Sequence, residues 1–312
     1  MSWRISSYII VIVSLFGCTQ NREQTNDSLI PEYYSSQYLI EAEDMLENYP
    51  DSMIKIIDFR PEISFNKGHI TGANNVWRPD IENDSYPFGG MMAGKDKIEE
   101  LFSRLGIQTS SRLIVYDDRG GCEAARLWWV LQQYNFNNIQ LLNGGLDAWK
   151  KIGGMVDTVS TVYPTSTFTL PYSMQSKLSI RKEELRNKIE SGEKLAILDV
   201  RTTEEFSGLV KKEGALKAGR IPGSIHLDWT VALNEQDCKK IIGYQELLKA
   251  YDSLNIGKDD LVVVYCHSGV RSAHTTFVLT ELLGYTNVKN YDGSWTEWSY
   301  DENLPIVQED SL

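Results

Sequence analysis

The chain carries two copies of one pattern, and this duplication limits its possible folds more than any other feature. Residues 105–116, LGIQTSSRLIVY, parallel residues 254–265, LNIGKDDLVVVY. LLNGGLDAW (141–149) parallels KNYDGSWTEW (289–298), and Trp149 and Trp298 stand at the same offset as Leu105 and Leu254. Upstream, IIDFRPE (56–62) matches ILDVRTTEEF (197–206), and KGHITGANNV (67–76) matches AGRIPGSIHL (218–227). The offset drifts there, as connecting loops of unequal length require. The repeat unit is roughly 130 residues, an ordinary domain size. A chain of 312 residues therefore holds two such units.

Each unit reads alike. A short apolar strand ends in Asp-x-Arg, a glycine-containing turn follows, and an amphipathic helix (KIEELFSRLGI, YQELLKAYDSLNI) leads into the most apolar strand, RLIVY or LVVVY. A helix starts almost at once (EAARLWWVLQQYNF, RSAHTTFVLTELLGY), and a last strand and turn run into an aromatic helix. Continuously apolar strands separated by helices indicate an α/β fold, a mainly parallel sheet with helices on both faces. The expected boundaries are 36–154 for the first unit and 177–312 for the second. The stretch 155–176 between them is rich in Ser, Thr and Pro and reads as a linker.

The N-terminus has a different character. Residues 1–18, MSWRISSYIIVIVSLFGC, contain Arg4 and then an apolar run from Tyr8 to Phe16. That run is shorter than the roughly 20 residues needed to span a bilayer, and it has the shape of a secretory signal. Leu15-Phe16-Gly17-Cys18 resembles a bacterial lipobox, with Phe16 where a small or β-branched residue is usual. Cys18 is the expected lipidation site, residues 19–35 the expected flexible tether, and the cell envelope the expected location. The net charge of −12 without a basic stripe argues against nucleic-acid binding.

Three cysteines remain: Cys122, Cys238 and Cys266. No close pair suggests a disulfide framework. The four histidines, His69, His226, His267 and His274, form no pair with zinc-ligand spacing, so no metal is expected. Cys266 stands at the carboxyl end of the strongest strand, where parallel sheets bind ligands. The loop His267-Ser268-Gly269-Val270-Arg271 feeds directly into a helix. Unpaired N–H groups at a helix start carry partial positive charge, and Gly269 lets the loop curl further amides inward. A thiol facing that nest should ionise easily, with Arg271 assisting. The bland alternative is a small buried core residue. Cys122 and Cys238 read as structural or incidental.

Together, the duplication, GHITGAN and GRIPGSIH, the strand-end cysteine loop, GGLDAW and YDGSWTEW resemble the tandem rhodanese sulfurtransferases. The resemblance implies that Cys266 takes a sulfane sulfur from a small anionic donor, thiosulfate or 3-mercaptopyruvate. Cys266 then holds it as a persulfide and passes it to cyanide, a thiol or a protein dithiol, with no cofactor. It also implies that His267, Ser268, Gly269, Val270, Arg271 and Ser272 bind substrate. Aligning LIVYDDRGGCEAAR on VVVYCHSGVRSAHT puts Asp117 opposite Cys266, so the first unit is expected to be non-catalytic. Ser268 matches the mercaptopyruvate pattern, Arg271 resembles single-domain thiosulfate users, and Glu205 stands where the family has a substrate-binding arginine. Arg271 is expected to supply the anion-binding charge instead. Asp58-x-Arg60, Asp199-x-Arg201, His69 and Arg220 read as structural. Two alternatives are a non-catalytic sulfur carrier, sensor or partner-binding module, and a phosphatase-type or arsenate-type loop. The latter uses five residues between Cys and Arg, whereas four separate Cys266 from Arg271.

Overall fold

A computed structural model describes residues 33–49, 51–171 and 177–308. The expected signal segment, Cys18 and most of the expected tether lie outside the described residues.

Each repeat builds a five-stranded sheet in which all neighbours pair in parallel. In the first, the spatial order is Leu39–Ile40, Ile139–Leu142, Arg112–Tyr116, Ile54–Asp58, Asn74–Asn75. In the second it is Ser179–Ile180, Val288–Tyr291, Val262–Tyr265, Ala196–Asp199, Ser224–His226. The two orders correspond strand for strand, as the internal repeat requires. Both faces of each sheet are covered, which is why the strands alternate between two cores rather than between core and water. Ile57, Leu113 and Val115 enter one large core, while Ile56, Ile114 and Tyr116 enter a second. Val262 and Val264 join the same large core from the other repeat, and Val263 and Tyr265 turn to a third.

The large core is thus shared by the two repeats. At its centre the helices Cys122–Gln132 and Val270–Phe277 pack on one another. Every residue of the former from Cys122 to Leu131 is buried, including Trp128 and Trp129. The Trp128 ring meets Phe277 of the partner helix edge-on at 5.0 Å. Both helices begin immediately after a strand end, so their N-termini and the loops that precede them point to the same seam.

Two stretches read from sequence as connectors are anchored instead. Val156–Asp157 pairs antiparallel with His69–Ile70, and Phe168 and Leu170 are buried in the large core. The described part of the expected linker is therefore anchored near its two ends, with Phe168 packed against Phe102 and Phe136, while Val159 and Val162 between them stay exposed. The last residues of the expected tether are held too: the Tyr34 and Ser35 amides donate to the carbonyls of Leu282 and Glu281.

Candidate active site

Both repeats share one scaffold beneath their strand-end loops. In the first, the Tyr116 hydroxyl donates to Asp58 Oδ2 at 2.6 Å, and Arg60 pairs with Asp58 at 2.5 Å and donates to the Gly68 carbonyl at 2.8 Å. In the second, Tyr265 donates to Asp199 at 2.6 Å, and Arg201 pairs with Asp199 at 2.6 Å and donates to the Gly219 carbonyl at 2.8 Å. All four charged side chains are buried and mutually satisfied. They brace the strand ends of both repeats, in keeping with a structural role.

The loops above that scaffold differ. Cys266 follows Tyr265 directly and is 1% exposed. Gly269 adopts φ +76° and caps the helix that starts at Val270. The Ser294 hydroxyl closes the loop by accepting from the amides of both Cys266 (3.2 Å) and Gly269 (3.0 Å). The His267 carbonyl accepts from the Thr296 amide and hydroxyl. Cys266 Sγ accepts from the Ser272 hydroxyl at 3.4 Å. Burial disfavours the thiolate, but the Arg271 charge, the Ser272 hydroxyl and the amides of Ser272 and Ser268 outweigh it and hold the pKa below the ordinary thiol value. The strand-end cysteine is therefore an ionisable thiol in an amide cradle rather than an inert core residue.

In the first repeat the same cradle is closed by the protein itself. Asp117 Oδ1 accepts from the amides of Arg119 and Gly121, and Oδ2 from those of Glu123 and Ala124, all within 2.7–2.9 Å. Gly121 caps the following helix, so this loop is one residue longer than its counterpart. Cys122 therefore takes the first position of its helix, the counterpart of Val270 rather than of Cys266. Burial, Asp117 and Glu123 push the Cys122 thiol well up, which makes it a poor nucleophile. Gly145 holds the position matching Ser294. A Cβ there would lie 2.0 Å from the Asp117 carbonyl, which is why only the second repeat can place a hydroxyl under its loop.

Arg271 is not a free anion-binding cation. It grips Glu205 with two bonds, Nη1–Oε2 at 2.6 Å and Nη2–Oε1 at 2.9 Å. Burial would raise the Glu205 pKa, but Arg271 reverses this and holds it down at about 2. The expected substitution of Arg271 for a missing arginine is thus partly neutralised by the residue that replaced that arginine. A second cation stands beside the pair: Lys212, exposed at the mouth, whose pKa burial and Arg271 push down against the pull of Glu205 and Cys266.

His267 Nε2 lies 2.9 Å from the Glu213 carbonyl, and burial pushes its pKa down to about 4, so it is neutral at physiological pH. Ser268 is half-buried, and Gly90 of the first repeat lies so close that a Cβ there would sit 2.6 Å from the Ser268 Cβ. Val270 is buried within the large core, so it contributes its amide position rather than a side chain to the site. Ser294, Arg126 and Gly90 are site-shaping residues that sequence patterning missed. For Ser294 the available signal was the Gly-to-Ser difference between NGGLDAW and YDGSWTEW.

The cradle has the geometry for a nucleophilic thiolate attacking a small anionic group. Comparison with known proteins agrees with this architecture. The sequence model of the rhodanese-like domain matches residues 40–152 and 181–301. The chain belongs to the rhodanese-like family. Within it, the chain is 33% identical to the sulfur carrier protein TtuD of Thermus thermophilus, over 88% of this chain and 98% of that one. It is 32% identical to a thiosulfate sulfurtransferase of Corynebacterium glutamicum, covering 88% and 92% of the two chains. It is 30% identical to that of Pseudomonas aeruginosa, covering 86% and 96%. The rhodanese-like fold also superposes on the anaerobic ergothioneine biosynthesis enzyme of Chlorobium limicola with a TM-score of 0.76, at 21% identity over 87% of this chain and 70% of that one.

Proposed function

We propose that this protein is a sulfurtransferase that carries sulfur as a persulfide on Cys266. One observation carries the reading: the Cys266 sulfur is held at the strand end among the amides of Ser268 and Ser272, with its pKa lowered, while the equivalent position in the other repeat is a carboxylate that cannot carry sulfur. The relatives named as thiosulfate sulfurtransferases support the same class of reaction.

The chemistry is a double displacement. The Cys266 thiolate attacks the outer sulfur of a small anion such as thiosulfate or 3-mercaptopyruvate. A new S–S bond forms to Cys266, the bond between that sulfur and the donor breaks, and the electron pair leaves on sulfite or on the pyruvate enolate. The cradle amides and Arg271 stabilise the terminal sulfur anion of the persulfide. Cyanide or an acceptor thiolate then attacks that outer sulfur, and the electron pair returns to Cys266. The net charge at the mouth is small because Glu205 offsets Arg271, which leaves Lys212 as the cation able to meet a donor's anionic end. Neutral His267 adds none.

Mass spectrometry of reduced protein after exposure to each donor tests this. One added sulfur on the peptide containing Cys266 is expected. Its absence with both donors would leave a partner-binding module as the better reading. Export and lipidation at Cys18 belong to the same proposal, supported by the apolar run and the lipobox-like end of residues 1–18. The mature N-terminus, expected at a lipid-modified Cys18 in the envelope fraction, checks that part.

A further inference from the structure

His69 lies 11 positions after Asp58, whereas Arg220 lies 21 positions after Asp199, so the second repeat has ten extra residues before its glycine turn. They form the irregular segment 209–218, which exists only in the repeat that bears Cys266. Its anchors lead straight to the site. The Val210 amide donates to the Glu204 carbonyl, beside Glu205. The Glu213 carbonyl meets His267, and the Leu216 amide donates to Ser299, whose hydroxyl bonds Thr296, the residue on the His267 carbonyl. Ala215 is the one apolar side chain of the segment that is fully buried. Leu209, Val210 and Leu216 instead face solvent at 69%, 47% and 54% exposure. Lys211 and Lys212 are exposed between them, with no ion-pair partner among the described residues, in a chain of net charge −12.

Single exposed apolar residues need no explanation, but three within eight positions, interleaved with two lysines that have no ion-pair partner among the described residues, make an apolar and basic patch at the rim of a buried thiol. Cyanide and small thiols gain nothing from such a rim. A polypeptide acceptor does, because its thiol must be brought to a sulfur that is almost wholly buried. We propose that segment 209–218 is the docking surface for a polypeptide sulfur acceptor whose cysteine is flanked by apolar and acidic residues. The inference rests on Cys266 being a sulfur carrier. In the handover the acceptor thiolate attacks the outer persulfide sulfur, the bond from that sulfur to Cys266 breaks, and the electron pair returns to Cys266 as the acceptor becomes the persulfide.

The test uses the full chain, two cysteine peptides with Leu/Glu or Leu/Lys flanks, and cyanide. Persulfide discharge to the acidic peptide is expected at about tenfold higher kcat/KM than to the basic one. In Leu209→Glu/Leu216→Glu protein that preference should vanish while cyanide discharge is unchanged. The thiol-blocked acidic peptide, followed by fluorescence anisotropy, should bind wild type and not the variant, a readout that survives even if Cys266 never loads. Equal rates for both peptides, or equal losses with peptide and cyanide, overturn the proposal. So does a variant that discharges to peptide normally but no longer binds anionic phosphatidylglycerol vesicles, which would assign the patch to a lipid surface.

Discussion

The Arg126 guanidinium, in the helix that follows the Asp117 loop, lies 2.7 Å from Asp292 Oδ1 at the strand end beside the Cys266 loop. The same guanidinium donates to the Gly90 carbonyl at 2.7 Å and reaches the Gly269 carbonyl at 3.4 Å, and it lies over the Trp129 ring. Asp292 Oδ2 in turn accepts from the Met92 amide at 3.0 Å. One buried cation of the repeat without a strand-end thiol thereby ties together three segments around the Cys266 loop. Removing one partner of such a buried pair leaves an uncompensated charge and costs about 3–5 kcal/mol. Arg126→Met should lower stability by that order in chemical denaturation and slow sulfur loading. Arg126→Met combined with Asp292→Asn should recover most of the stability. Full stability in the single variant would show that the pair is dispensable.

Arg271 sets the ionisation of Cys266. Arg271→Ala should raise the pH midpoint of iodoacetamide alkylation at Cys266, because the largest favourable charge is lost while burial remains. Glu205→Gln should move the midpoint the other way, since the carboxylate that offsets Arg271 is gone. An unchanged donor KM in Arg271→Ala would exclude Arg271 from donor binding and leave that task to Lys212. A midpoint that does not move in either variant would refute the electrostatic assignment.

Ser294 carries a strained φ of +50° in order to place its hydroxyl under both ends of the thiol loop. Ser294→Ala keeps the strain and strands two buried amides, which costs roughly 1–3 kcal/mol each at most. Ser294→Gly relieves the backbone while removing the same hydroxyl. The glycine variant is expected to be the more stable of the two, with both losing sulfur-loading rate. Equal loading in all three proteins would show that the loop holds its shape without this anchor.

His274 is buried beside Trp229, with neither ring nitrogen hydrogen-bonded, and burial pushes its pKa down to about 4. A histidine with a depressed folded pKa is neutral in the fold and takes up a proton on unfolding. Stability is therefore fully present above about 6.5, the unfolded value, and is lost as pH falls from there towards 4. His267 adds a loss of the same sign and window. Glu205, held at about 2, adds its own loss further down, between its unfolded value near 4.5 and 2. His274→Phe should gain stability relative to wild type at pH 5 compared with pH 8. A pH-independent difference would count against the linkage.

The parallel α/β architecture of both repeats and the pairing of Asp117 with Cys266 were readable because duplication prints them twice, whereas the order of the strands within each sheet came only from the structure. The Cys266 loop was readable because its chemistry is local: a strand end, a glycine and a helix start within four residues. The Arg271–Glu205 and Arg126–Asp292 pairs were not readable, since their members lie far apart in sequence and no periodicity links them. The anchoring of the expected linker was hidden for another reason. Phe168 and Leu170 are isolated apolar residues in a Ser/Thr-rich stretch, and only the cavity they fill distinguishes them from exposed ones.

The Asp117 carboxylate, seated on four amides, has a practical consequence. The protein contains its own internal standard for what an anion does to this kind of loop. Amide exchange at Arg119, Gly121, Glu123 and Ala124 reports a cradle permanently closed by a fixed charge. Exchange at Ser268 and Ser272, in the same tube and at the same pH, reports one whose anion moves from Cys266 Sγ to the outer sulfur as the persulfide forms. The ratio of the two protections, followed through a catalytic cycle, would read the sulfur occupancy of the enzyme from backbone deuteration alone, without an acceptor assay.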